Sequence, residues 1–234
     1  MNKPFLFVAL DDLDKKERDT LEVAEQLSAV DGSFGFKVNL DYLLKYGLEG
    51  SVSAVKRIQY FGRPIFADLK MWNGTRTMRS VIEILVANEI DYLNVYALAD
   101  ELLPGAIQAT DGSKTKVLGL TVLTHFSEAY CQKHFRRTLR ETVRHFAEVA
   151  IDKGCHGIIL PGTALEVVKD LKTIKFVPGV RPKWYKDTRH EEEVEPRIAV
   201  EQGADNLVCG SPIMKDPDKI GALKRILVEM RLED

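Results

Sequence analysis

Phe5-Leu6-Phe7-Val8-Ala9-Leu10, running on into Asp11-Asp12-Leu13-Asp14, decides between the two folds open to this chain. The apolar run is short and without polar alternation, as a strand buried on both faces reads. Seven comparable runs follow: Phe34 to Val38, Pro64 to Leu69, Tyr92 to Tyr96, Val117 to Val122, Gly157 to Leu160, Ile174 to Val177 and Asn206 to Cys209. Between them lie segments with helical spacing. Met78, Val81, Ile82, Leu85 and Val86 form one stripe and Leu139, Val143, Phe146, Ala147 and Ala150 a second, while Ile220, Leu223, Ile226, Leu227 and Met230 form a third. Such alternation over 234 residues fits a TIM-type (βα)8 barrel or an open doubly wound sheet. The open sheet needs a glycine-rich phosphate turn after its first strand. Asp11-Asp12-Leu13-Asp14 is acidic and has no glycine. The sequence therefore predicts a single α/β barrel domain over residues 1–234.

Composition narrows the function. The chain is 45% hydrophobic, enough for a substantial core, and its 33 basic and 35 acidic side chains give a net charge of -2. No basic face for releasing phosphate counterions is expected, so nucleic acid is not an expected partner. No stretch approaches the roughly 20 apolar residues of a membrane span, and the first residues lack the cleavage site of a signal peptide. Cys131, Cys155 and Cys209 are far apart without metal spacing and read as reduced packing cysteines of a cytoplasmic protein. Leu123 to Arg137 and Pro178 to His190 are longer than a connection needs, and lids are expected there. Trp72 and Trp184 are expected to be packing or lid anchors, His125 a hydrogen-bonding residue near the mouth, and Glu191-Glu192-Glu193 the start of a helix.

Three strand ends carry the chemistry. Asp11, Lys37, and Asp68 with Lys70 follow the first, second and third runs, and the barrel topology brings such positions to one mouth. Asp68 and Lys70 stand two apart, so the pleat turns both to the same side. A carboxylate between two ammonium groups in a poorly hydrated place acts strongly on a developing carbanion or oxyanion, and a lysine there can deliver a proton. The same residues read as a structural salt bridge closing the barrel, and by themselves they leave both readings open.

Phe66-Ala67-Asp68-Leu69-Lys70-Met71-Trp72-Asn73 resembles the Asp-x-Lys-x-x-Asp signature of the orotidine 5'-phosphate decarboxylase superfamily. Ala9-Leu10-Asp11, Phe36-Lys37-Val38, Thr121-Val122-Leu123-Thr124, Val177-Pro178-Gly179-Val180-Arg181-Pro182 and Gly203 through Gly210 resemble that family's other strand motifs, in order along the whole chain. The resemblance implies cofactor-independent decarboxylation of orotidine 5'-phosphate to uridine 5'-phosphate, without a metal. Lys70 would protonate the pyrimidine C6, and Asp68 would crowd the substrate carboxylate. Lys37 would complete the charge network and reach the ribose, where Asp11 would bond a hydroxyl. Thr124 and Pro178 would contact the substrate, with Arg181 and Gly210 by the phosphate. The resemblance further implies a homodimer in which Asn73 and Thr77 reach into the partner's site.

Three positions depart from the pattern. Asn73 stands where the family has a second aspartate, which leaves Lys37, Lys70 and Asp68 with a formal charge of +1. Such an excess holds a ground-state carboxylate firmly and opposes acceleration. Ser211 replaces a phosphate-binding arginine, and His190 a glutamine that bridges base and phosphate. Lys183, Lys186 and Arg189 either restore positive charge or form a solvated loop. The departures keep open a sibling lyase or decarboxylase for another nucleotide or sugar derivative, or a silent nucleotide-binding barrel.

Overall fold

A computed structural model of the chain describes residues 3–11, 17–46, 54–186 and 193–231. Eight strands form a closed parallel barrel in sequence order: β1 (Phe5–Ala9), β2 (Phe34–Asn39), β3 (Ile65–Met71), β4 (Tyr92–Tyr96), β5 (Lys116–Leu120), β6 (Gly157–Ile159), β7 (Ile174–Val177) and β8 (Asn206–Cys209). Each coincides, within two residues at either end, with an apolar run of the sequence. Closure comes from β1 pairing with β8, Val8 opposite Cys209.

Two apolar layers follow from the alternation of side chains. The outer layer packs strands against helices. Thr75–Ala87 buries Met78, Ile82 and Leu85, and Leu139–Asp152 buries Leu139, Val143, Phe146, Ala147 and Ala150. Thr138 and Glu141 exchange side-chain-to-backbone bonds at the start of the latter helix, satisfying donors that would otherwise be orphaned. Inside the barrel, Phe7, Phe66, Tyr92 and Phe176 stack edge to face and ring on ring, with centroids 5.0 to 5.9 Å apart. This aromatic plug fills the N-terminal half of the barrel and leaves the C-terminal half open.

Several expectations need correction. In Lys219–Glu229 the buried face is Ala222, Leu223 and Ile226, whereas Ile220 is exposed. Leu123 to Arg137 is no open loop, because Glu128–Phe135 is a helix capped by Ser127, with Phe126 stacked on Tyr130 at 4.1 Å. Of Glu191-Glu192-Glu193, the first two lie outside the described residues, and Glu193 opens no helix, for the next described one begins at Pro196. Its N-cap Glu195 is extended (ψ 147°), as the residue before a proline prefers. Trp72 is 60% exposed, which is not the burial of a packing anchor. Cys131, Cys155 and Cys209 are buried as expected, and burial pushes the Cys155 and Cys209 thiols up to about 12. Among the described residues no helix is long and apolar enough to cross a membrane.

Candidate active site

The register fixes which strand ends meet. Ala9 lies opposite Lys37, and Asn39 opposite Asp68, so the C-terminal ends of β1, β2 and β3 put their polar side chains at one level. They line a cavity of about 340 Å³ in the barrel mouth. Apolar side chains in the lining, among them Ala9, Phe66, Leu120, Ile159 and Val208, lower the effective dielectric around the charges beside them.

Lys37 Nζ donates to Asp11 Oδ2 at 2.9 Å, to Asp68 Oδ2 at 3.1 Å and to Asn39 Oδ1. All three ammonium hydrogens therefore have protein acceptors. Lys70 Nζ lies 2.6 Å from the same Asp68 Oδ2. Exposure separates the two lysines: the side chain of Lys70 is 41% exposed, against 6% for Lys37 and 10% for Asp68. Of these two, the Lys70 ammonium is the one that can meet a ligand without leaving a buried position. Burial alone pulls the Lys37 ammonium down, yet the Asp68 and Asp11 carboxylates outweigh it and raise its pKa. Burial likewise pushes Asp68 up, but Lys37 and Lys70 beside it, with bonds from Lys70 and Asn94, hold it at about 2.

Asp11 corrects the charge count made from sequence. Lys37, Lys70, Asp68 and Asp11 form one contiguous cluster of two cations and two anions, so the excess expected from Asn73 is balanced within the chain. Thr124, Pro178, Arg181, Gly210 and Ser211 line the same cavity, as does His125. Arg181 is buried, with Nε 3.8 Å from Glu193 Oε1, and the left-handed Gly179 (φ 75°) sets the turn that brings it in. Asn73 and Thr77 do not reach the cavity of their own chain. Both are exposed, and Asn73 Oδ1 accepts from the N–H of Gly74. His190 and Arg189 lie outside the described residues. Lys183 and Lys186 are exposed, Lys183 pairing with Glu195 at 3.4 Å.

Sequence reasoning missed two residues. Asn39 stands two residues after Lys37, so the period of a strand could have placed it at the mouth. Asn94 is 1% exposed on β4, a lone amide among apolar neighbours, and bonds Asp68 Oδ1 at 2.7 Å. Among the described residues no group of three metal-ligating side chains converges.

Comparison with known proteins identifies the family. The model of the Orotidine 5'-phosphate decarboxylase / HUMPS family matches residues 4–226. A protein of Methylacidiphilum infernorum named orotidine 5'-phosphate decarboxylase is 30% identical over 190 residues, covering 78% of this chain and 82% of that one. One of the same name from Nautilia profundicola is 27% identical over 233 residues, covering 97% and 98%. The crystal structure of orotidine 5'-phosphate decarboxylase from Lactobacillus acidophilus superposes with a TM-score of 0.78 at 24% identity, covering 99% of this chain and all of that one. The motifs, the barrel and the matched length agree: this chain is an enzyme of the orotidine 5'-phosphate decarboxylase / HUMPS family.

Proposed function

We propose that the chain, folded as one barrel domain and acting in the cytoplasm, decarboxylates orotidine 5'-phosphate to uridine 5'-phosphate with Lys70 as proton donor. The observation that carries this reading is the position of the Lys70 ammonium, exposed to the cavity of the barrel mouth and held 2.6 Å from a buried carboxylate. The bond from ring C6 to the carboxylate carbon breaks, and its electron pair stays on C6. Carbon dioxide leaves, Lys70 delivers a proton to C6, and water restores the lysine. Asp68, ionised throughout, opposes the substrate carboxylate more than the departing neutral product. Lys70 answers the charge that develops on carbon, so both favour the transition state over the ground state. Arg181 and the backbone at Gly210 and Ser211 would receive the phosphate, and Asp11 a ribose hydroxyl.

A sibling decarboxylase or lyase for another sugar or nucleotide anion is the second reading. One feature favours it. With its three hydrogens bound inside the protein, Lys37 has none to spare for a ribose, and the Asn39 amide nitrogen is the donor left beside it. Turnover of orotidine 5'-phosphate by the purified protein, with Lys70→Ala beside it, separates the readings. Product formation lost in the variant is the expected result. Tight binding of a uridine 5'-phosphate analogue without turnover would indicate a silent barrel, and neither binding nor turnover the sibling activity.

A further inference from the structure

The side chain of Asn94 makes three hydrogen bonds that the chemistry above does not use. Its Oδ1 accepts from the backbone N–H of Leu69 at 2.8 Å and of Lys70 at 2.7 Å, and its Nδ2 donates to Asp68 Oδ1 at 2.7 Å. The amide cannot be turned over. Backbone N–H groups only donate and an ionised carboxylate only accepts, so each end of the amide has one possible kind of partner. The backbone that it holds is strained. Lys70 lies at φ 48°, in the left-handed region that side-chain-bearing residues avoid, and the pairing of β3 with β4 slips between Ala67 and Met71. Two consecutive N–H groups thereby turn onto one acceptor that a regular ladder would not supply. Strain of this kind persists where the surroundings over-determine it.

We infer that Asn94 is the positioning residue of the proton donor. It holds the left-handed turn that aims Lys70 into the cavity, and it takes Asp68 Oδ1 so that Oδ2 faces both ammonium groups. Its effect on rate rests on the reading of Lys70 as the acid; its effect on the Lys70 side chain does not.

The inference separates two substitutions. Asn94→Ala removes all three bonds. Asn94→Asp, nearly isosteric, keeps an acceptor for the two N–H groups but can donate to Asp68 only while its new carboxyl is protonated. Asp68 and Lys70 of β3 meet this position directly; Lys37 and Asn39 of β2, Asp11 after β1, His125 after β5 and Arg181 after β7 line the same cavity, and Tyr96 of β4 lies near Asp68. With Asp68 nearest, the pair should share a proton at the acid end of the range and repel at the alkaline end.

Two measurements test it on the whole chain. The first needs no substrate: the resonance of 13C-dimethylated Lys70, assigned by its loss in Lys70→Arg. It should move toward that of a solvated lysine in Asn94→Ala, and in Asn94→Asp it should return as pH falls. The second is steady-state turnover of orotidine 5'-phosphate. In Asn94→Ala kcat should fall about 100-fold, the scale of a misplaced reacting group, with KM changed about threefold or less. The kcat ratio of Asn94→Asp to the parent should rise as pH is lowered from about 8 to about 5. A merely structural role would lower both variants evenly across pH. An unmoved Lys70 resonance in Asn94→Ala, or a flat pH ratio in Asn94→Asp, overturns the inference. If Asn94→Ala does not fold, the isosteric variant decides alone. A parent that fails to turn over this substrate refutes the proposed activity, and the resonance still decides the role of Asn94.

Discussion

At Asp68, burial and charge pull in opposite directions, and charge wins. Its carboxyl sits at about 2 in the folded chain, against 3.8 without the fold. A depressed pKa adds stability that is complete above the unfolded value and lost as pH falls through the folded one. The window is therefore about pH 4 down to about pH 2, and the amount about 2 kcal/mol. Denaturant unfolding across that window should show stability falling more steeply in the parent than in Asp68→Asn; equal slopes would remove Asp68 from the cluster. Lys37 works in the other direction. Its raised pKa makes its contribution complete below 10.5 and lost only as pH climbs beyond that value. A second prediction at this scale concerns the departures from the family pattern. Asn73→Asp combined with Ser211→Arg should raise kcat/KM for orotidine 5'-phosphate about tenfold, on the scale of a charge-assisted phosphate contact. No gain would mean that neither position limits the reaction.

Among the elements, the segment after β7 shows how a loop is latched without a helix. Val194 pairs with Val180, and Arg181 N–H donates to Val194 O at 2.9 Å. Val194 also presses on Gly162, where an added Cβ would lie 2.2 Å from Val194 Cγ1. Trp184 fixes the other side of the segment. Its Nε1 donates to Glu229 Oε1 at 2.7 Å, and the Arg225 guanidinium lies 4.0 Å over its ring, both from Lys219–Glu229. Gly162→Ala should cost about 1–3 kcal/mol by overpacking, read as a lowered denaturation midpoint. Trp184→Ala should release the segment, seen as faster amide exchange over 179–186 and a KM raised more than kcat is lowered. Unchanged exchange there would show that the anchor is dispensable. The strands were legible in the sequence because burial on both faces leaves an unbroken apolar run. The slip in β3 was not, because nothing in Asp68-Leu69-Lys70 announces a left-handed lysine; an acceptor on β4 makes it possible.

For the whole molecule the question is what completes the site. Leu40 and Leu44 after β2, Trp72 after β3, and Leu98 and Leu102 after β4 are 36% to 77% exposed, on three neighbouring barrel corners. Asn73 and Thr77 emerge from the middle one of these. Large apolar side chains gathered on one side mark a contact surface, and we propose a second copy of the chain as its occupant. Leu44→Glu with Trp72→Glu should shift the sedimenting species from two chains to one and lower turnover at least about tenfold, as shared sites would be lost. A parent that sediments as one chain would sink the composite-site reading.

The sequence by itself determined the barrel, since eight two-face-buried runs separated by helical stripes admit few other packings, and it determined which strand ends carry charge. Tertiary structure decided how those charges are balanced. That Asp11 neutralises the cluster, and that Asn39 and Asn94 hold its two ends, depends on register between strands distant in the chain. A side chain's partners across a sheet are set by pairing and closure, which no local pattern encodes.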